Sequence, residues 1–246
     1  MRRFMLLAGM GMGLVAADAC SAGPPVLLAL VAARNAAATV RQLIEEGHDV
    51  DGRDPRGATP LMAAARTGAV EAMIALLDAG ADPNARDGFN HWTPLLHAIH
   101  KQQAGAVRLL LERGADPNAR TESVTPLIMA AADRDATIVR LLLAHGADAR
   151  ARGAGGATAL SQADGAMSDI DLPLLGGCHP ETVRALKAHD PGLELPDTIA
   201  AWHARWWARF HGCQEVIDMV GPSGTRSKGF LTAAFAGTSV RRRCGR

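Results

Sequence analysis

A block of fixed length recurs three times in the middle of the chain, and it restricts the fold more than any other feature of the sequence. Thr59-Pro60-Leu61 leads to Gly80-Ala81-Asp82, Thr93-Pro94-Leu95 to Gly114-Ala115-Asp116, and Thr125-Pro126-Leu127 to Gly146-Ala147-Asp148. The interval from Thr to Gly is 21 residues each time, while successive Thr lie 34 and 32 residues apart. All of the length variation therefore falls between one Gly-Ala-Asp and the next Thr-Pro. A unit that is constant in one part and variable in another stacks through the first and exposes the second.

The constant part predicts two short helices. Thr is a good N-cap, and Pro suits the first helical position, where its missing N–H costs nothing. Gly80, Gly114 and Gly146 each end an apolar helical stretch, where a residue of left-handed conformation is wanted. Met73, Leu76 and Leu77 correspond to Val107, Leu110 and Leu111, and to Val139, Leu142 and Leu143, on a helical period. Ala63 to Ala65 and Ala130 to Ala132 fill the first helices with the smallest side chain that favours a helix. This use of Ala accounts for much of its total of 48 residues in 246. The stretch from each Gly to the next Thr predicts an exposed, β-hairpin-like finger.

On these residues the chain resembles the ankyrin repeat family. Thr-Pro-Leu-x-x-Ala, Val-x-x-Leu-Leu and Gly-Ala-Asp-x-Asn are its signature, the last completed here by Asn84 and Asn118. Met62 and Leu96 depart from it, since the family often has His there. The resemblance implies an all-α solenoid of about five helix-turn-helix repeats. It also implies that the surface formed by fingers and first helices binds a protein partner.

Two further copies are degenerate. Counting back 21 residues from Gly47 reaches Val26, with Leu28, Val40 and Leu43 in register but no Thr-Pro. Terminal repeats need an atypical outer face, so this copy is expected to cap the N-terminal end. The last copy opens at Ala157-Thr158-Ala159-Leu160, and its second helix is expected over Pro180–Ala188. Asp190 takes the place of Gly, 32 residues after Thr158, which implies an 11-residue insertion within Asp164–Cys178. The array is thus expected over residues 25–192, with repeats near 26–58, 59–92, 93–124, 125–157 and 158–192.

A C-terminal helical cap is expected over residues 196–220. Asp197 is a good N-cap for a helix to His211, in which Ile199, Trp202, Trp206 and Phe210 share one face. The bland reading docks this face on the last repeat; the sharper one gives it to a partner or a membrane. A second helix is expected at Gln214–Val220, and residues 221–246 read as a tail.

Residues 1–19 read as a cleaved signal peptide. Met1-Arg2-Arg3 precedes an apolar run from Phe4 to Ala17, too short to span a bilayer comfortably, and Ala17-Asp18-Ala19 fits a signal peptidase site. A periplasmic or secreted protein is expected, with an uncleaved anchor as the bland alternative. Cys20 raises a lipoprotein reading, but Ala17 and Asp18 match a lipidation signal poorly. Membrane association is expected only if Cys20 carries lipid. Cleavage would remove Arg2, Arg3 and Asp18 and take the formal charge from +1 to zero. A chain so close to neutral lacks the basic signature of a nucleic-acid binder. Four Cys do not make a disulfide scaffold.

Candidate chemistry is sparse. No nucleophile elbow, His-Glu-x-x-His motif or Cys-x-x-Cys pair occurs, and no cofactor is expected. His97 and His100 lie three apart on one helix with His91 nearby, a spacing that suits a metal only with a third ligand. The same positions serve equally as surface slots on a first helix. Cys178 and Cys213 would staple the cap to the array if bridged in an oxidising compartment, and two free thiols fit the spacing as well.

Binding is expected at the fingers. The longest runs from Arg86 through Phe89 and His91 to Trp92, and aromatic residues with Arg are the types that anchor interfaces. Arg53 on the preceding finger and Arg120 and Glu122 on the following one extend the candidate surface. Phe89 and Trp92 packing along a neighbouring finger is the bland alternative. The expectation is a monomeric, non-catalytic module that binds an unknown protein partner. Exported bacterial members of the resembled family support or restrain enzymes or toxins, which implies this class of role.

Overall fold

The computed structural model describes residues 24–121, 124–163, 180–194 and 214–220. Among them the chain forms helices and loops and no strand. α1 (Pro24–Ala33) and α2 (Ala37–Glu45) make the first copy, and α3 (Pro60–Thr67) and α4 (Val70–Asp78) the second. α5 (Pro94–His100) and α6 (Ala104–Glu112) make the third, α7 (Pro126–Ala132) and α8 (Ala136–Ala144) the fourth. α9 (Ala159–Ala163) and α10 (Pro180–His189) belong to the fifth, and α11 (Gln214–Val220) follows.

Capping explains the boundaries. The Thr59, Thr93 and Thr125 hydroxyls each accept the backbone N–H three residues on, at 3.4 Å, with Pro at the next position. Thr158 lacks the Pro and compensates by reciprocity. It accepts from Ser161 N at 3.2 Å while Ser161 Oγ accepts from Thr158 N at 2.9 Å, a capping box. The second helices end alike. Gly47, Gly80, Gly114 and Gly146 hold φ between +85° and +92°. The residue after each Gly donates to a carbonyl five residues back, as Ala81 does to Leu76 and Ala115 to Leu110. This double-bonded left-handed cap satisfies carbonyls that a bare helix end would leave unpaired.

The helices stack in two layers. α1, α3, α5, α7 and α9 pack in sequence as one layer, and α2, α4, α6, α8 and α10 as the other. Leu61, Leu95, Ile99 and Leu127 fill the first layer and Met73, Leu76, Leu110 and Leu142 the second, all essentially inaccessible to water. Ala64, Ala65, Ala98, Ala130 and Ala131 are also fully buried, so Ala sets the close approach of neighbouring first helices. No helix among the described residues is long and apolar enough to cross a membrane.

Details differ from expectation at the ends and the fingers. α1 starts at Pro24, before the register point at Val26, because Pro24 and Pro25 supply first-turn prolines in the absence of a Thr-Pro. The fingers are turned loops, each closed by one cross-bond: Asp54 N to Ala58 O, Asp87 N to Trp92 O, Thr121 N to Val124 O and Gly153 N to Ala157 O. Hairpin character among the described residues goes no further than these bonds. α11 has the expected bounds; it packs on α10 with Val216 buried, and Arg184 pairs with Glu181 and Glu215. The expected signal segment and Cys20, Glu122, the insertion after α9, Cys178, the Trp-bearing helix, Cys213 and the tail lie outside the described residues.

Candidate functional site

The row of fingers is tied together by its own arginines. Arg53, Arg86, Arg120 and Arg152 each stand six residues after the glycine that ends a second helix. Arg53 Nη1 donates to Gly57 O at 2.9 Å and to Arg86 O at 2.6 Å. Arg86 Nη1 donates to Arg120 O at 2.9 Å, and Arg120 Nη2 to Arg152 O at 3.0 Å. The first three guanidiniums therefore each reach one finger forward and take the carbonyl of the next arginine, and Arg152 receives the last of these bonds. All four residues remain exposed, and the donors left over on each planar fork face solvent.

The second finger is organised around Asp87, which is buried although charged. Its Oδ1 accepts backbone N–H from Asn90 at 2.8 Å, Phe89 at 3.2 Å and Trp92 at 3.3 Å. Its Oδ2 lies 2.9 Å from His97 Nε2 on α5. With Asp87 ionised, Nε2 carries the proton and donates it. Burial works to raise the Asp87 carboxyl, and the bonds from Asn90, Trp92, His97 and Phe89 outweigh it, so its pKa sits below the ordinary 3.8. Burial pushes His97 the other way for a base, down from 6.5, against the pull of Asp87 and with Arg66 and His100 adding to the push.

Trp92 seals this pair. Its ring stands edge-on to His97 at 5.4 Å and to His100 at 5.3 Å, and it packs on the core. Phe89 has the opposite fate: it is 83% exposed, the large apolar residue that the described surface leaves in water. His91 takes a left-handed φ of 56° and completes the turn between them. So the finger holds Phe89 outward on a loop whose backbone is pinned from beneath by a buried carboxylate.

Of the residues expected to bind, Arg53, Arg86, Phe89, His91 and Arg120 lie exposed along this row, while Trp92 is half-buried. Three of them, the arginines, hold the row together as well as lining it. Sequence reasoning missed Asp87, which organises the site, and weighed His97 only as a metal ligand or a surface slot. The recurrence of Arg six residues after each glycine was the available signal for the ladder. His91, His97 and His100 do not form a ligand set: among the described residues no three of His, Cys, Asp or Glu are grouped to hold a metal ion. The pKa of Asp133, at the end of α7, is raised by burial, an effect that His100 partly offsets; its Oδ2 is buried and has no hydrogen-bond partner among the described residues.

Family models describe the same architecture. A model of three ankyrin repeat copies matches residues 28–121, and a model of many ankyrin repeat copies matches residues 110–163. The two overlap and together span more than half of the chain. No curated protein matches it.

Proposed function

The chain belongs to the ankyrin repeat family, whose arrays are protein–protein interaction modules, and from that premise we propose that it acts by presenting its second finger to a partner protein, without bond-making chemistry. The observation that carries this reading is Phe89, exposed on a loop that Asp87 fixes from below. A fixed loop loses little conformational freedom on binding, so the contact area of Phe89 is not offset by ordering costs. The Asp87–His97 pair has the form of two members of an acyl-transfer triad. Here the pair ties the loop to α5 from beneath, with Trp92 packed against the imidazole, which supports a structural use.

The finer role is part of the same proposal: the protein works after export and supports or restrains an enzyme or toxin. Its support is the basic start at Arg2 and Arg3, the apolar run from Phe4 to Ala17 and the resemblance already described. Cell fractionation tests the export, and retention with cytosolic markers would remove it.

A photocrosslinking side chain at position 89 tests the surface. It is expected to capture a discrete protein in the cells that make this chain, whereas the same group at Arg108 on α6 is not. Capture at 108 and none at 89 would move the site to the helical face. Phe89→Ala is the cleaner loss-of-binding variant, because Arg86→Ala also breaks the ladder bond to Arg120.

A further inference from the structure

Arg56 is set apart from the other finger arginines. Its carbonyl accepts Gly88 N–H at 3.1 Å, which places it where the tips of the first and second fingers meet, one residue from Phe89. It is exposed, and among the described residues its guanidinium has no hydrogen-bond or ion-pair partner. Asp54 on the same finger and Asp87 on the next form no ion pair with it. Asp54 turns its Oδ1 to the backbone N–H of Arg56 and Ala58, at 2.8 and 2.9 Å, and Asp87 is buried under its loop. What the meeting fingertips offer to solvent is a free guanidinium at Arg56 and, on the residue after the bonded Gly88, an exposed phenyl ring, followed by the ladder arginines at one per repeat.

We propose that Arg56 and Phe89, with Arg53, Arg86 and Arg120 beside them, form a docking strip for an extended acidic segment of a partner protein. The proposal rests on the reading of the finger row as the interaction surface and names the chemistry of what lies on it. A guanidinium fork donates two parallel bonds to a carboxylate. In the ladder each fork is already held by a neighbouring carbonyl, so binding a carboxylate costs it little further side-chain freedom.

The spacing selects an extended chain. Packed helices lie about 8–10 Å apart, so arginines that recur once per repeat do likewise. A polyproline II segment has three residues per turn and rises about 3.1 Å per residue, which returns every third side chain to one face after about 9 Å. A segment with Glu or Asp at every third position therefore offers one carboxylate to each repeat, and an apolar residue among them meets Phe89. A nucleic acid fits less well: its phosphates recur about every 3.4 Å along a strand, roughly three for each arginine of the row, so most of its charge would go unpaired.

The test uses the full chain and a fluorescein-labelled peptide of about 15 residues, Pro-rich, with Glu at every third position and one central Leu. A second peptide carries Gln in place of every Glu. Anisotropy titration is expected to show the Glu peptide binding at least about tenfold tighter than the Gln peptide, as several charge-assisted pairs require. Arg56→Glu, which leaves every ladder bond in place, weakens the Glu peptide by about tenfold, and Phe89→Ala weakens both peptides. Arg108→Glu, a reversal of the same charge on α6, leaves binding unchanged.

Equal binding of the two peptides overturns the proposal. So does an equal loss in Arg56→Glu and Arg108→Glu, which would mark attraction to the whole surface. A single-stranded oligonucleotide of about 15 nucleotides that displaces the Glu peptide at lower concentration overturns it in favour of nucleic acid. If the peptide fails to bind while position 89 still crosslinks a protein, the acidic segment is wrong and the interaction surface stands. If position 89 captures nothing while Arg56→Glu abolishes peptide binding, the strip stands and the role given to Phe89 falls.

Discussion

Arg150 donates from Nε to Asp190 Oδ2 at 2.7 Å, across a junction that asparagines close elsewhere in the array. Asn84 donates to Gly114 O at 3.1 Å and accepts from Asp116 N at 2.8 Å; Asn118 does the same with Gly146 O and Asp148 N. Arg150 stands where those asparagines stand, four residues after the helix-ending glycine, and Asp190 stands where the next glycine would be. Two departures from the repeat thus form one contact, in which a charged pair replaces an amide clamp. The Arg150 bond holds the Asp190 carboxyl below the ordinary carboxylate range.

Removing one member alone should loosen the last copy. Asp190→Ala is expected to speed amide hydrogen exchange in α10 and leave α4 and α6 as they were, because each repeat touches only its neighbours. Arg150→Asn with Asp190→Gly restores the pattern of the earlier junctions and should recover protection. Exchange in α10 that is no slower in the double variant than in Asp190→Ala would show that the two substitutions are unrelated.

The Asp87–His97 pair should make stability fall in two steps on acidification. His97 has its pKa lowered by folding, so the unfolded chain takes up the proton first; stability is lost as pH drops below the ordinary 6.5 towards the folded value. Asp87 is also lowered, and for an acid this means a contribution present in full above 3.8 and lost as pH falls through the folded value. His97→Gln keeps an N–H for Asp87 and cannot titrate. Urea midpoints measured from pH 8 to 4 are expected to decline less steeply in this variant than in the wild type. Parallel curves would assign the near-neutral loss to other groups.

How much of this was legible in the sequence follows from the range of each interaction. The Thr-Pro starts, the glycine ends and the Val107–Leu110–Leu111 pattern act within one block, and the helices fall where they predict. α11 likewise follows from the local run Gln214–Val220. The contacts that define the site do not act locally. Arg53 reaches Arg86 and Arg86 reaches Arg120 across a whole repeat, so a side chain that looks free in sequence is half engaged in the fold. Asp87 and His97 are ten residues apart, on a loop and on a helix, and only the return of the finger onto α5 joins them. Phe89 and Trp92 are three residues apart with the same apolar character, yet one faces water and the other the core, because the turn at His91 separates them.

Two glycines of similar φ should respond differently to Ala. Gly57 has φ +75°, and an added Cβ would lie 2.6 Å from Gly88 N, between the two fingertips. Gly80 has φ +92° and nothing within 4 Å of an added Cβ. Gly80→Ala is expected to cost about 1–2 kcal/mol, the left-handed penalty alone. Gly57→Ala adds a backbone clash that breaks the Gly88 N–H to Arg56 O bond and shifts the loop bearing Phe89. Equal denaturation midpoints for the two variants, with unchanged partner crosslinking at position 89, would contradict the close approach.

The first junction of the asparagine series holds an improvable residue. Asp51 occupies the place of Asn84 and Asn118, and both its oxygens accept from Asp82 N at 3.2 Å. A carboxylate has no donor for the glycine carbonyl that the asparagines reach, and burial, with Asp82 and Asp49 nearby, raises its pKa. A raised acid pKa means that the folded chain resists ionisation, so at neutral pH Asp51 is held charged at a cost. Asp51→Asn keeps the acceptor for Asp82 N, adds a donor for Gly80 O and removes the charge. It should stabilise the array by about 1 kcal/mol, one net hydrogen bond, seen as a higher denaturation midpoint at pH 7. The gain should shrink as pH falls towards the Asp51 titration, where protonation removes the charge in the wild type too. A variant no more stable than the wild type at pH 7 would mean that the amide clamp does not extend to the first copy.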